Sequence, residues 1–195
     1  MATGPRTKDT TTVTLGLAQI RLGASAGNIA TADVVLTSSD SIGALANTKF
    51  TSEIDFFRLE SGYPLTKDTS FPLRETAKLE CAFKEVTPAN VAWSRGIDAT
   101  TGYADEHSGE VALGKLDTPD FIRMEAIYTY PDGTNALNII FPRAQVESSS
   151  EIDFAMEDNA ASPMTIEANN ADSTVSGGDA VWDDRPLGRM HWTDA

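Results

Sequence analysis

The chain is predicted to fold as one mainly-β domain with a single short flanking helix, and three observations predict this. Apolar and polar residues alternate with a period of two in several separate segments, which is the pattern of half-buried strands. Only one segment carries both a helix start and a helix stop. Finally, 195 residues with 41% hydrophobic and 23% charged content are typical of one globular domain. We expect residues 1–10 to be a mobile N-terminal arm and residues 11–195 to form the domain.

Alternation in the first half of the chain predicts strands at Thr11–Leu22, Phe50–Glu60 and Leu73–Glu85. In the third strand most odd-numbered positions are apolar, whereas Lys78 and Glu80 belong to the opposite, solvated face. Cys81 lies on the apolar face, so we expect a small buried side chain there and not a catalytic thiol.

Between the first two strands, residues 23–49 are rich in Gly, Ala, Ser, Thr and Asn. They are predicted to form a long loop around one short β-like run at residues 32–37. Residues 61–64, Ser-Gly-Tyr-Pro, have the composition of a turn.

The predicted helix spans about residues 87–96. Thr87 is a suitable N-cap, Pro88 suits the first helical position, and Gly96 can end the helix. Val91 and Trp93 supply an apolar side, so we expect the helix to pack across a sheet.

Alternation returns in the second half, where Pro-Asp-Gly at residues 131–133 predicts a hairpin between two strands. Residues 169–184 are predicted to form a loop. The predicted strands are Gly109–Leu113, Phe121–Tyr130, Thr134–Val146, Glu151–Glu157, Met164–Ala168 and Leu187–Trp192.

No phosphate-binding loop, dinucleotide fingerprint, zinc-protease motif or paired-cysteine motif occurs in the sequence. Asp179, Asp183, Asp184 and His191 have the atom types of metal ligands. A solvated acidic loop explains them better, because coordination needs ligands that converge. We therefore expect no catalytic residue, no metal and no cofactor.

The charge balance excludes one class of partner. The chain has 29 acidic and 15 basic residues, which gives a formal net charge of −14. Sequence-independent binding to duplex DNA depends on Lys and Arg, so this composition argues against it. The sequence contains no apolar run of eighteen residues and no signal-peptide pattern. We expect no membrane partner and a cytoplasm-like compartment of synthesis.

Several segments together resemble the tail tube proteins, or major tail proteins, of tailed bacteriophages. One is a strand that leads straight into a Thr-Pro-capped helix. Another is a hairpin whose second strand leads to an acidic strand. A third is a Gly-Gly and Trp-Asp-Asp segment near the end of the chain. They comprise residues Phe71–Trp93, Arg123–Asn135 with Ile139–Val146, and Val175–Arg189.

The resemblance implies a β-sandwich or barrel-like domain and a structural role without enzymatic activity. In this family, subunits close into rings, expected to be hexameric, and the rings stack into a hollow tube through which the genome leaves. The implied partners are other copies of the chain, the tape measure, tail tip and tail terminator proteins, and genomic DNA that passes without specific binding. The implied location is the virion tail, after synthesis in the bacterial host cytoplasm. The long loop at residues 23–49 is then expected to make ring-to-ring contacts.

Alternation indicates which side chains could line such a lumen. Glu151, Asp153 and Glu157 are the most uniformly acidic set, and an acidic wall repels DNA phosphates. Two further pairs of charged residues that share a strand face are Arg123 with Glu125 and Lys78 with Glu80.

Other hypotheses stay open. A monomeric β-sandwich that binds carbohydrate or mediates adhesion explains the strands and the missing motifs equally well. The needle tube of type VI secretion and the tubes of phage-like bacteriocins look similar at this level. An enzyme of the glycosidase kind, using Glu151, Asp153 or Glu157, is the weakest hypothesis, because alternation places these carboxylates on an exposed strand face.

Overall fold

The computed structural model describes residues 16, 18–63, 66–103, 108–114, 118–131, 133–147, 151–152 and 161–194. Within these ranges the chain is mainly β, as predicted, with seven strands and one α-helix. Two short 3-10 helices, Ser38–Asp40 and Ala180–Trp182, lie in loops. The elements are β1 Gln19–Ala24, β2 Leu45–Ser61, β3 Thr66–Phe83, α1 Pro88–Ser94, β4 Ile122–Thr129, β5 Asn135–Val146, β6 Ser162–Ala168 and β7 Arg189–Asp194.

All seven strands belong to one antiparallel sheet, in the order β1-β4-β5-β6-β3-β2. β7 joins the sheet on the same edge of β5 as β6 does. β6 pairs with residues 144–146 of β5, and β7 pairs with residues 135–140. The two short strands therefore share one long neighbour, and the loop of residues 169–188 separates them.

The sheet curls so strongly that β2, at one end of the strand order, lies close to β5 across the core. β2 and β5 are three positions apart in the strand order, which in a flat sheet is about 14 Å. Yet the rings of Phe50 in β2 and Phe141 in β5 have centroids only 6.2 Å apart. The space inside the curl is filled by buried apolar side chains, including Ile20, Leu79, Phe83, Ile122, Met124, Met164 and Ile166. The architecture is therefore barrel-like.

α1 covers one side of this core and confirms the predicted helix. The Thr87 hydroxyl accepts a hydrogen bond from the backbone N–H of Asn90 at 3.2 Å, and Gly96 follows the helix with a φ of +72°. The Asn90 amide donates to the carbonyl of Ile42 at 3.0 Å, and the Trp93 side chain is buried in the core. These contacts fix the helix against the segment that leads into β2.

Several predicted boundaries were wrong. Residues 109–113 form no strand, and all of them except Val111 are exposed, so this alternation has no buried face. Residues 32–37 form no strand either. The predicted strand at 11–22 is observed only from Gln19 onward, and residues 11–15 and 17 lie outside the described residues. Of the predicted strand at 151–157, only Glu151 and Ile152 are described, and they are not in a strand.

Candidate assembly surfaces

β2 and β3 form a hairpin that is much longer than the sequence predicted. They pair from Leu45 with Phe83 to Ser61 with Thr66, whereas β3 pairs with β6 only through residues 78–83. We call residues 53–63 and 66–76 the arm, because this part of the hairpin has no further strand beside it in the described chain. Gly62, at a φ of +83°, takes the backbone conformation that the turn requires.

Apolar side chains are exposed on both faces of the arm. Phe56 and Phe57 are consecutive in β2, so they point to opposite faces, and both are about half exposed. Phe71 lies directly opposite Phe57 and shares its face, and it is 52% exposed. Leu73, at a register shift, is 68% exposed. A half-buried strand normally carries apolar residues on one face only, so this arrangement is unusual for a strand in water.

The base of the arm carries exposed ion pairs on the face opposite the core. Lys78 lies 3.3 Å from Glu80, and Lys49 lies 3.6 Å from the same carboxylate. The hydrogen bond from Lys78 and the charge of Lys49 lower the pKa of Glu80. Lys78 and Glu80 are thus partly exposed, and their proposed place on a lumen wall stays a prediction.

Arg123 and Glu125, in contrast, do not face solvent, and both side chains are 0% exposed. They lie on the face of β4 opposite the core, under the loop of residues 25–37. The Arg123 Nε donates to Glu125 Oε1 at 2.7 Å. Burial lowers the pKa of the Arg123 guanidinium, and the Glu125 carboxylate opposes that change. The prediction that these two side chains line a lumen was wrong, because the loop covers them completely.

This buried pair clamps the loop to the sheet. The Arg123 guanidinium donates to the backbone carbonyls of Asn28, Thr31 and Asp33 at 2.6 to 2.9 Å. The Glu125 carboxylate accepts from the backbone N–H groups of Val35 and Leu36, at 2.9 and 3.0 Å, in place of a strand partner. Because these N–H groups bond to a side chain and not to a neighbouring strand, residues 32–37 form no strand. The predicted loop of 23–49 is therefore partly built into the domain, and its last five residues belong to β2.

The remaining sequence-predicted acidic residues that the structure describes form no common site. Glu151 is exposed, and Asp153 and Glu157 lie outside the described residues. Asp179 Oδ1 accepts from the N–H of Val181 and caps a 3-10 helix, while Asp183 Oδ1 accepts from the N–H of Ser173. These two carboxylates therefore stabilise local turns through hydrogen bonds to the backbone.

His191 lies in β7, opposite Asn138 of β5. Within the described residues, no three His, Cys, Asp or Glu side chains are placed to hold a metal ion. In the same part of the chain, no helix is long and apolar enough to cross a membrane. Cys81 is buried, as predicted, and burial raises the pKa of its thiol to about 12.

Sequence reasoning missed a groove between β3 and β7. Its lining is mainly apolar, and its cavity volume is about 150 Å³. Beyond it, Trp192 of β7 is 60% exposed, and its indole N–H donates to the Tyr130 hydroxyl at 3.2 Å. The position of β7 beside β5 creates this groove, and no local sequence signal reports that position.

Among solved structures, some align with most of this chain at low sequence identity. No family model and no curated protein sequence matches the chain. A cryo-EM structure of an extracellular contractile injection system, the PVC sheath–tube complex in its extended state, aligns with a TM-score of 0.47 and 11% identity, over 92% of this chain and 89% of that one. The cryo-EM structure of the anti-feeding prophage tube-terminating cap aligns with a TM-score of 0.43 and 11% identity, over 97% and 98%. Both structures come from tube assemblies. Both TM-scores are below 0.5.

Proposed function

We propose that this protein is a structural subunit that self-assembles into rings, and that the rings stack into a hollow tube of the phage-tail kind. The observation that carries the proposal is the arm, whose large apolar side chains are exposed on both faces. A two-stranded hairpin that stands alone in water is only marginally stable, and burial of its side chains against another surface stabilises it. In the described chain no such surface covers the arm.

Unpaired strand edges support the same proposal. β2 forms one end of the strand order, and its outer edge has no partner strand in the described chain over its seventeen residues. Long exposed edges promote uncontrolled pairing unless a specific partner covers them. Repetition of one contact around a closed ring covers the same edge in every copy.

The sequence resemblance supplies the finer parts of the proposal. These are rings of six copies, passage of the genome through the lumen, contacts with tape measure, tail tip and tail terminator proteins, and a location in the virion tail. Partly exposed Lys78 and Glu80 and exposed Glu151 are the described candidates for a lumen wall. Asp153 and Glu157 complete that set by sequence alone.

Sedimentation velocity and negative-stain electron microscopy of the purified chain test this proposal. Over a series of protein concentrations at moderate salt, we expect rings or hollow polymers with a lumen wide enough for duplex DNA. Moderate salt matters because it screens repulsion between chains of net charge −14. Monomers alone at every concentration and salt condition would contradict the proposal.

One observation favours a second candidate function, a carbohydrate-binding module. The exposed indole of Trp192, held by Tyr130, has the form of a stacking surface for a sugar ring. A glycan array with the wild-type chain and with Trp192→Ala tests it. Binding by a monomeric wild-type chain that is lost in the variant supports this candidate, whereas assembly without glycan binding excludes it.

A further inference from the structure

The chain that leads into β2 contacts the free edge of β1. Arg21 and Ser41 form an isolated antiparallel bridge, and the backbone N–H of Ile42 donates to the carbonyl of Ile20 at 3.1 Å. Both isoleucine side chains are buried in the core. β1 and β2 are the two ends of the strand order, so this contact brings the ends of the sheet together.

The direction of this contact leads the chain before β1 towards β2. In an antiparallel pair, a step back from Ile20 runs beside a step forward from Ile42. Ala18 and Leu45 lie on this course, since both pack against the core and both line a pocket that also contains Gly43. Residues that precede Ala18 and keep this course run along the outer edge of β2.

The first part of that outer edge lacks partners. We call residues 45–51 of β2 the base edge. β3 pairs with the other side of β2, and in the described chain no strand covers the base edge. The hydroxyl of Thr48 is buried and has no hydrogen-bond partner in the same part of the chain. Buried polar groups normally have partners, so this region is incomplete without a further segment.

We propose that residues 11–17, the terminal segment, continue β1 and pair with the base edge as a further strand of the barrel. Of these residues the structure describes only Gly16. Seven extended residues span about 23 Å, which equals the length of the seven residues of the base edge. The inference concerns the single chain and does not depend on the proposed assembly.

The composition of the terminal segment suits a strand with one buried face. Val13 and Leu15 alternate with Thr12 and Thr14, and three of these four residues are β-branched. The terminal segment contains no proline, which would remove a backbone donor, and no charged residue. It can therefore pair along its whole length and pack beside the core without the burial of a charge.

Gly16 determines which face of the terminal segment is buried. Its φ of +104° interrupts the extended backbone, as a glycine does at a β-bulge. Ile20 is 0% exposed, so unbroken alternation would direct Thr14 to the core. One extra residue at Gly16 changes the phase of the alternation. Val13 and Leu15 then face the core, and Thr14 faces solvent.

Amide hydrogen exchange of two matched full-length variants tests this pairing. Val13→Asp/Leu15→Asp places two charges on the buried face, and the control Thr12→Asp/Thr14→Asp places the same two charges on the opposite face. Exchange at the base edge is measured by NMR, at a concentration where sedimentation shows only monomers. We expect exchange there to become at least roughly tenfold faster in the first variant and to change less than about twofold in the control.

The milder pair Val13→Ser/Leu15→Ser and Thr12→Ser/Thr14→Ser replaces these variants if the first one does not fold. Equal acceleration by the two members of a pair would overturn the proposed burial of Val13 and Leu15. Unprotected amides along the base edge of the wild-type monomer would show that the edge is open and the pairing wrong. Protection that appears only on assembly would assign the edge to a second copy, again against the pairing. Because the measurement is made on monomers, failure of the pairing leaves the proposed assembly untouched.

Discussion

Removal of the Arg123 guanidinium, by Arg123→Met, is expected to destabilise the domain strongly. Methionine fills a similar length with a flexible apolar chain. The substitution leaves the Glu125 carboxylate, 0% exposed, with only the N–H groups of Val35 and Leu36 as partners. It also removes the donors of the carbonyls of Asn28, Thr31 and Asp33.

The magnitude follows from the burial of the pair. Removal of one member of a buried ion pair costs about 3–5 kcal/mol, because the other charge stays buried without compensation. For a chain of this length, 1 kcal/mol corresponds to about 2–4 °C in melting temperature, so we expect a decrease of about 6–20 °C. Urea unfolding and thermal melts measure it, at a concentration where sedimentation shows only monomers.

An exposed ion pair of equal length provides the control. Arg74 lies 2.7 Å from Asp55, the same distance as Arg123 from Glu125, but the side chains of Arg74 and Asp55 are 71% and 47% exposed. Arg74→Met should cost less than about 1 kcal/mol, since solvent screens exposed pairs. The double variant Arg123→Met/Glu125→Leu should recover much of the lost stability, because it leaves no unpaired charge. Equal losses for Arg123→Met and Arg74→Met would show that burial of the ion pair does not determine its contribution to stability.

Three further predictions concern other parts of the molecule. Phe57→Ser/Phe71→Ser should abolish assembly, as seen by sedimentation velocity, and change monomer stability by less than about 1 kcal/mol, with Leu113→Ser as an assembling control. Thr87→Ala should lower the free energy of unfolding by about 1 kcal/mol in urea titrations, because α1 loses its N-cap. The buried thiol of Cys81, with its pKa raised from 9.0 to about 12, should react with a thiol reagent at pH 8 only after denaturation. Because the unfolded thiol ionises first, stability should fall as the pH rises above 9, and rapid labelling of the native chain would contradict this account.

Elements with one buried face were predictable from the sequence. The odd positions of β3 from Ala77 to Phe83 are buried, and Cys81 is among them, as alternation predicted. The caps of α1 at Thr87 and Gly96 were correct because capping depends on residues a few positions apart. The hairpin between β4 and β5 was also correct, since its turn residues are local.

The length of the arm was underestimated because the prediction relied on the same alternation of apolar and polar residues. β2 and β3 extend beyond the predicted strands, to Ser61 and back to Thr66, through register shifts that change the phase of the alternation. The third predicted strand began at Leu73, where the register shifts, so the prediction missed residues 66–72 of β3. The apolar residues on both faces of the arm are consistent with a segment that is covered on both sides in an assembly.

Arg123 and Glu125 show the opposite error. Their polarity suggested an exposed strand face, yet the loop of residues 25–37 buries both. From Ile122 to Glu125 the sequence of β4 alternates apolar and charged residues, which is the pattern of a strand with one solvated face, so it carried no signal that both faces are covered. Their partners are backbone groups about 90 residues away, which no local pattern reports.

The mainly-β class, the single described helix, the β4–β5 hairpin and the acidic charge could be predicted from the sequence, because they depend on composition and on residues close together in the chain. Three features became evident only in the folded chain: β7 lies beside β5, a loop covers Arg123 and Glu125, and a groove opens between β3 and β7. These features depend on which distant segments pack together, and packing is decided by the free energy of the whole chain and not by any local period.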